Sequence, residues 1–512
     1  MHDQKLKKKQ IDLKELQKKI IILKKKQKII GLCHGVFDLI HIGHIDHFKE
    51  AKKVCDILIV SVTDDKFVNK GPKKPVFNCQ QRVDFLSSLE MINYVIPSNY
   101  PTAVNIINTI KPNYYFKGPD YKDKKKDKTK NIIIENDVVN KNGGVTFYTR
   151  SKKYSSSEIL NQNNNYLFKE DVSLRSKIRN KYSSLTINKI FEDMLNTKPL
   201  IIGELIIDQY NFCETLGKSG KDSFLVLRDL YIENYLGGSA AICCHISSFV
   251  KKVNFLSIIG EKKENLNFIL KKLPKNINFK FVNKKNSPTI IKKRFLDNVT
   301  KSKLLGVYSL EDNLLENSDE KKLYKKFKNF VKKSNLVIIS DYGHGMISPN
   351  FINKIKKTNL FIAVNAQLNA ANLGYHTLKN YYKVDLVVVN ESEMRHEMRS
   401  RNENLNILMK KLSVQLMCNY LVVTRGNQGL IMFDRINNKF YSCGAYANFV
   451  VDKTGAGDAL LSILALCIFN KVDINLSLLI ASFAAAKAVQ TIGNKEYIER
   501  GLLIKELEHF LI

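Results

Sequence analysis

Two short stretches of the 512-residue chain combine residue types that could do phosphate chemistry. The first, Gly35-Val36-Phe37-Asp38-Leu39-Ile40-His41-Ile42-Gly43-His44, follows the apolar run Lys28–Leu32 and precedes a helical pattern opening at about Ile45. Two histidines flanking a glycine at a strand-to-helix turn can lie beside one anion. Gly43 lets a phosphate approach the backbone, the helix start offers free N–H groups and its positive dipole end, and the imidazoles of His41 and His44 donate hydrogen bonds. Such a turn would stabilise a nucleoside triphosphate whose α-phosphate gains charge while pyrophosphate departs. A metal site or packed core histidines is the bland alternative, and the density of the pattern argues against it.

The second stretch is Asp452-Lys453-Thr454-Gly455-Ala456-Gly457-Asp458-Ala459, ahead of the apolar run Leu460–Phe469. Amides of Gly455, Ala456 and Gly457 at a helix start would form an anion hole, and the Asp458 carboxylate could take the proton from an attacking hydroxyl. That is a kit for phosphoryl transfer to an alcohol, and the missing G-K-[ST] separates it from a P-loop.

The elements that must hold these turns are α/β in pattern. From Lys28 to Tyr148, apolar runs at Ile29–Leu32, Ile57–Val62 and Tyr94–Ile96 alternate with helical patterns at Ile45–Lys53 and Arg82–Leu89, as in a parallel sheet covered by helices. A second series begins at Leu200–Ile207 and continues through Val253–Ile259, Leu336–Ser340, Leu360–Val364, Leu386–Val389 and Tyr420–Thr424. The expected organisation is a Lys-rich N-terminal helix over 1–27, a first domain over 28–160, a linker with a helix over 161–198 and a second domain over 199–512. No repeat relates the halves.

With 44% apolar and 26% charged residues, 10 Pro and 24 Gly, the chain is globular rather than collagen-like or disordered. Nine cysteines without a C-x-x-C pair suggest neither a zinc cage nor a disulfide framework, so reduced thiols in a cytoplasm are expected. The net charge of +33 would attract nucleic acid or anionic lipid. Its spread as Lys among abundant Asn and Ile resembles a coding bias, and it serves anionic small substrates equally well. The apolar positions Ile11, Leu13, Leu16, Ile20 and Leu23 fit an amphipathic helix packed on its own domain, and no apolar run reaches transmembrane length.

The first stretch resembles the cytidylyltransferase-like nucleotidyltransferases, and the likeness continues through Lys70-Gly71-Pro72, Lys74-Pro75, Arg82 and Phe116-Lys117-Gly118-Pro119-Asp120-Tyr121 to Tyr154-Ser155-Ser156-Ser157. The resemblance implies a nucleotide site formed by Gly35, Phe37, Asp38, Gly43, Lys74, Arg82, Lys117, Gly118 and Asp120, with Ser155, Ser156 and Ser157 against the triphosphate. His41-Ile42-Gly43-His44 also spells the ATP-site tetrapeptide of class I aminoacyl-tRNA synthetases. Their second Lys-Met-Ser-Lys-Ser-type loop is missing, and Lys301-Ser302-Lys303 is a poor substitute.

From Pro199 to Ile512 the chain resembles the ribokinase-like carbohydrate kinases, with a small β lid that includes Leu216–Gly220. The resemblance implies sugar binding by Asp208, Gly237 and Gly238, nucleotide binding by Asn390, Glu393, Thr424, Arg425, Gly426, Gly429 and Asn494, and an indirect role for Glu393 at magnesium. Glu204 stands where many relatives have Asp, and Ala241 stands where an Asn is usual. The amide-rich run Asn365–Asn372 points to a subgroup with another sugar, or simply to capping and turning.

Together the halves look most like the bifunctional heptose kinase/adenylyltransferases, with the domain order exchanged. That likeness implies ATP and Mg2+, sugar phosphate substrates, an ADP-sugar product and a homodimer. CTP in place of ATP in the transferase, a non-catalytic sensor in place of the kinase, and a nucleic-acid-binding protein with relict enzyme folds stand as alternatives.

Overall fold

The computed structural model describes residues 9–68, 75–121, 131–150, 169–368, 372 and 376–511. The chain divides into two compact units, Met1–Phe168 with Ile504–Ile512, and Lys169–Leu503.

In the first unit, β1 (Ile30–Gly35), β2 (Ile57–Thr63), β3 (Tyr94–Ser98), β4 (Tyr114–Lys117) and β5 (Val145–Tyr148) form a parallel sheet in the order β3-β2-β1-β4-β5. Successive side chains point to opposite faces of a strand. Ile30, Leu32, Ile59 and Tyr115 therefore fill one core, while Cys33, Leu58, Val60, Val62 and Phe116 fill the other. The Lys-rich N-terminus forms the helix Leu13–Lys25, started by Asp12, which accepts a hydrogen bond from the Glu15 amide. Leu16 and Ile20 on its inner face join the core with Ile30. The strand order reverses between β1 and β4, so their carboxyl ends open a crevice of the kind where α/β sheets bind ligands.

In the second unit, nine strands run in the order β10-β9-β6-β13-β14-β15-β16-β17-β18. These are β6 (Pro199–Gly203), β9 (Val253–Gly260), β10 (Ile277–Lys284), β13 (Leu336–Asp341), β14 (Phe361–Ala366), β15 (Leu386–Asn390), β16 (Tyr420–Thr424), β17 (Leu430–Asp434) and β18 (Lys439–Cys443). Pairing is parallel as far as β16, and only β17 and β18 are antiparallel. A separate sheet, β12-β11-β7-β8, is the lid, built from β7 (Leu205–Lys218), β8 (Leu225–Gly238), β11 (Ile291–Asp297) and β12 (Lys303–Ser309).

The apolar run Leu200–Ile207 reads as one strand, but the chain leaves the large sheet after Gly203 and enters the lid at Leu205. The intervening Glu204 is wholly buried, and its carboxylate accepts N–H bonds from Tyr342, His344 and Met346 at 3.0, 3.2 and 3.4 Å. Three backbone donors compensate part of the cost of a buried carboxylate.

All nine cysteines are free thiols; eight are buried, and Cys79, in the helix Cys79–Ser88, is half-buried. No helix among the described residues is long and apolar enough to cross a membrane.

Candidate active sites

At the end of β1 the helix begins at Ile42, three residues before the expected Ile45, because His41 takes the extended conformation of a cap position. His44 thus lies in the first turn, and its ring stacks on His41 with centroids 4.0 Å apart. Phe37 packs edge-on against His44 at 5.5 Å from a left-handed backbone, φ +51°. Such a conformation is strained for a bulky residue and persists only where its surroundings impose it. Here the Phe37 ring also covers Gly35, where a Cβ would lie 3.1 Å from it.

Two residues read as nucleotide ligands make hydrogen bonds within the protein. Asp38 is 3% exposed and accepts the amides of Val76 and Phe77 through Oδ1, at 2.8 and 3.0 Å. Arg82, 2% exposed, donates to the carbonyls of Val36, Thr63 and Phe77 and pairs with Asp65. Both pin the loops around the crevice together. The physical reason is geometric: a guanidinium with five donors is satisfied by converging carbonyls as well as by a phosphate.

Lys117, at the end of β4, is similarly committed. Its ammonium lies 2.9 Å from Glu135 and over the rings of Tyr115 and Tyr121, while Glu135 also accepts from the Tyr115 hydroxyl and the Ala103 amide. Burial opposes its charge, but Tyr115 and Glu135 hold it well above the usual lysine range. Next to it, burial and the Lys117 charge keep His34 and His47 at about 4. His34 faces Ser61 and Thr63, and His47 faces Thr149. Gly118 has open space where a side chain would project. Lys74, Ser155, Ser156 and Ser157 lie outside the described residues, and of Asp120 only the backbone is described, in the short turn Pro119–Tyr121. Gly43 is buried in the first turn of the helix.

In the second unit the helix Ala456–Phe469 starts from Gly455, whose φ of +87° only glycine adopts cheaply. A Cβ there would also strike Asn494 at 2.3 Å. The first-turn amides have no intrahelical acceptor, and open space surrounds Gly457. Asp458, half-buried in that turn, accepts the Tyr342 hydroxyl at 2.6 Å. Burial pushes its carboxyl up to about 7, against the Tyr342 bond and with the Asp208 charge. Asp452 anchors the turn: it takes the Thr454 amide, the Tyr210 hydroxyl, the Gly493 amide and the Lys303 ammonium. Against the burial penalty, Lys303 and these donors bring its carboxyl down to about 2. Nothing around Asp452 in sequence announces partners 150 to 240 residues away.

Asp208 and Gly237 do meet. They belong to the paired strands β7 and β8, and a Cβ on Gly237 would lie 2.1 Å from an Asp208 oxygen. Gly238 carries φ +57° and caps the helix Ser239–Ile246, with the Glu204 carbonyl where a Cβ would stand. Asp208 is ion-paired with Arg294 at 2.5 Å, a partner unforeseen in the sequence. Asn494, read as a base-side residue, lies instead beside Asp208 (3.5 Å) and under Gly455.

Asn390 and Glu393 form a capping box on the helix Glu391–Glu397. The second Glu393 oxygen takes the Leu368 amide, and burial pushes this carboxyl up to about 7. The spacing is the capping signature itself, a polar residue followed three positions later by Glu. Thr424 ends β16, and Arg425 pairs with Glu391 at 3.0 Å. Gly426 and Gly429 take φ +59° and +80° in the β16–β17 turn, with the Cys443 carbonyl against Gly429. Among the described residues no cluster of three or more His, Cys, Asp or Glu could cage a metal ion.

Family comparison agrees with this division. Residues 32–162 match a family described as Cytidylyltransferase-like, and residues 196–499 match the pfkB family of carbohydrate kinases. Bifunctional protein HldE of Campylobacter jejuni (strain RM1221) is 28% identical over 304 residues, 58% of this chain and 62% of that protein. The HldE of Haemophilus influenzae (strain PittEE) is 28% identical over 302 residues, 58% of this chain and 60% of that protein. The chain thus matches about three fifths of the length of these curated relatives. A candidate ribokinase from Agrobacterium tumefaciens shares the fold with a TM-score of 0.50 and 13% identity, over 62% of this chain and 99% of that one.

Proposed function

From a chain that belongs to the pfkB family of carbohydrate kinases and carries a cytidylyltransferase-like domain ahead of that region, we propose a bifunctional sugar-activating enzyme. One half phosphorylates a sugar phosphate with ATP; the other joins a sugar 1-phosphate to a nucleotide with release of pyrophosphate. Relatives named Bifunctional protein HldE support the pairing of the two activities; D-glycero-D-manno-heptose 7-phosphate as the kinase substrate and an ADP-sugar as the final product follow from the resemblance to the bifunctional heptose kinase/adenylyltransferases.

The observation that carries the kinase reading is Asp458 in the first turn of a helix with open amides, its carboxyl near 7. One oxygen is held by Tyr342. The other is left to take the proton from the sugar hydroxyl as that oxygen attacks the terminal phosphorus. The amides of Gly455, Ala456 and Gly457 then bear the charge of the transferring group. Mg2+ supplies charge neutralisation on the nucleotide phosphates.

In the transferase the attacking oxygen belongs to a phosphate already ionised at neutral pH, so no protein base is needed. His41 and His44 orient and stabilise the α-phosphate at the helix start, and the bonded framework of Asp38, Arg82 and Lys117 keeps the crevice rigid. The domains occupy residues 28–160 and 199–512 in this reading. A homodimer is the expected assembly, supported by exposed Leu230, Ile232, Leu305 and Val307 on lid strands, and the cytoplasm is the expected location.

The test is mass spectrometry of purified protein with Mg2+ and ATP or CTP against heptose, hexose and polyol phosphates. A bisphosphate from the 7-phosphate and an ADP-heptose from the 1-phosphate are expected. A different NDP-sugar keeps the chemistry and replaces the substrate; turnover of nothing refutes both halves.

A further inference from the structure

Lys292, near the start of lid strand β11, is a buried cation that no oxygen of the described residues holds. The residue is 8% exposed, and among the described residues its ammonium has no carboxylate or carbonyl partner; it lies over the rings of Tyr308 and Tyr342, each 5.5 Å away. The buried cations Arg82, Lys117 and Lys284 each donate to protein oxygen. A buried charge is costly unless paired, and two ring faces compensate only part of that cost.

The nearby acids are already engaged. Lys292 is in register with Asp208 across the β7–β11 pair, yet Asp208 is held by Arg294, two residues along the same strand. Glu204 is taken by three amides and Asp458 by Tyr342. All three carboxylates act electrostatically on the amine. Tyr342 links Asp458 and Lys292 directly, its hydroxyl on the carboxylate and its ring under the amine.

We propose that Lys292 is a phosphoryl-binding residue of the kinase site, its ammonium placed to bond an oxygen of a phosphate group on a bound ligand. This rests on the kinase reading and adds a charged contact supplied by the lid. The phosphate has two sources: the terminal group of the nucleotide, or the ester already on the sugar acceptor.

The experiment compares the full-length protein with Lys292→Met and Lys292→Arg. Calorimetric titrations use a non-hydrolysable ATP analogue with Mg2+, D-glycero-D-manno-heptose 7-phosphate, and the unphosphorylated heptose, and each ligand-free protein is melted. Lys292→Met is expected to lose about tenfold or more in affinity for a phosphate-bearing ligand, with Lys292→Arg recovering most of it. The ligand-free melting temperature stays level or rises, because an unpaired buried charge has been removed. Loss confined to the ATP analogue assigns the nucleotide phosphate. Loss confined to the heptose phosphate, with unphosphorylated heptose unaffected, assigns the acceptor's ester. Unchanged binding of both phosphate ligands overturns the proposal, as does a melting temperature lowered by several degrees, which marks a structural lysine. A wild-type protein that binds neither phosphate ligand refutes the kinase reading itself, an outcome visible before any variant is made.

Discussion

At the end of β1 burial keeps two imidazoles uncharged at working pH, whereas in the second unit it brings selected carboxyls up to that pH. His34 and His47 stay neutral with values of about 4, and Lys117 stays charged against Glu135. In the second unit burial lifts Asp458 and Glu393 to about 7 and Asp341 to about 6. The first site therefore offers fixed donors and fixed charge, which suits a reaction whose nucleophile arrives ionised. The second keeps a proton acceptor poised at working pH, which suits an alcohol that must lose its proton.

The sharpest way to break that contrast is to remove one group from each site. Asp458→Asn should lower phosphorylation by about a thousandfold or more while leaving nucleotidyl transfer intact. His44→Ala should lower nucleotidyl transfer by about a hundredfold and spare phosphorylation. Separate coupled assays on each purified variant decide this, and a folded variant that loses both activities contradicts two independent sites.

The pH profiles differ next. Asp458 is active only when ionised, so kinase kcat/KM should fall about tenfold per pH unit below 7 and level off above it. Transferase kcat/KM should show no limb from His34 or His47 between pH 5.5 and 8, because both remain neutral there. Stability follows the same carboxylates with a definite sign. A raised folded value means the native state binds more protons between about 4 and 7, so these acids make the second unit less stable as pH rises through that window.

Arg82→Ala should destabilise the first unit by about 3 kcal/mol or more, since it orphans the buried Thr63 carbonyl and the part-buried carbonyls of Val36 and Phe77 and removes the cation facing Asp65. Differential scanning calorimetry would show a lowered first-unit transition. The smallest effect expected is about 1 kcal/mol from Asn390→Ala, which removes half of a capping box and should not change the magnesium dependence of the kinase. A large shift in that dependence would restore Asn390 as a functional ligand.

What was legible in the sequence was local. The turns at 35–44 and 452–459 carry their chemistry in consecutive residues, and the alternating apolar runs announced the two sheets. What escaped was made by contacts between elements separated along the chain: Asp208 with Arg294, Asp452 with Lys303, Glu135 with Lys117. Each is a charge compensated across tens to hundreds of residues, and no spacing rule reaches that far. Asn390 and Glu393 carry the opposite ambiguity, since the spacing that suggests a nucleotide-side role is also a local capping pattern, and the capping box is what the structure displays. Asp38 and Arg82 show a related ambiguity, because a residue that would suit a phosphate also suits the carbonyls and amides of converging loops.

The distribution of thiols gives the protein a ready-made spectroscopic handle. With eight cysteines buried and Cys79 half-exposed one turn ahead of Arg82, a maleimide dye added to the native protein should attach at a single position in the first unit. Burial raises the Cys79 thiol above its ordinary value, so labelling should proceed faster under mildly alkaline conditions. Fluorescence from that position would follow nucleotide binding to the transferase half in the unmutated chain, while the kinase half stays optically silent.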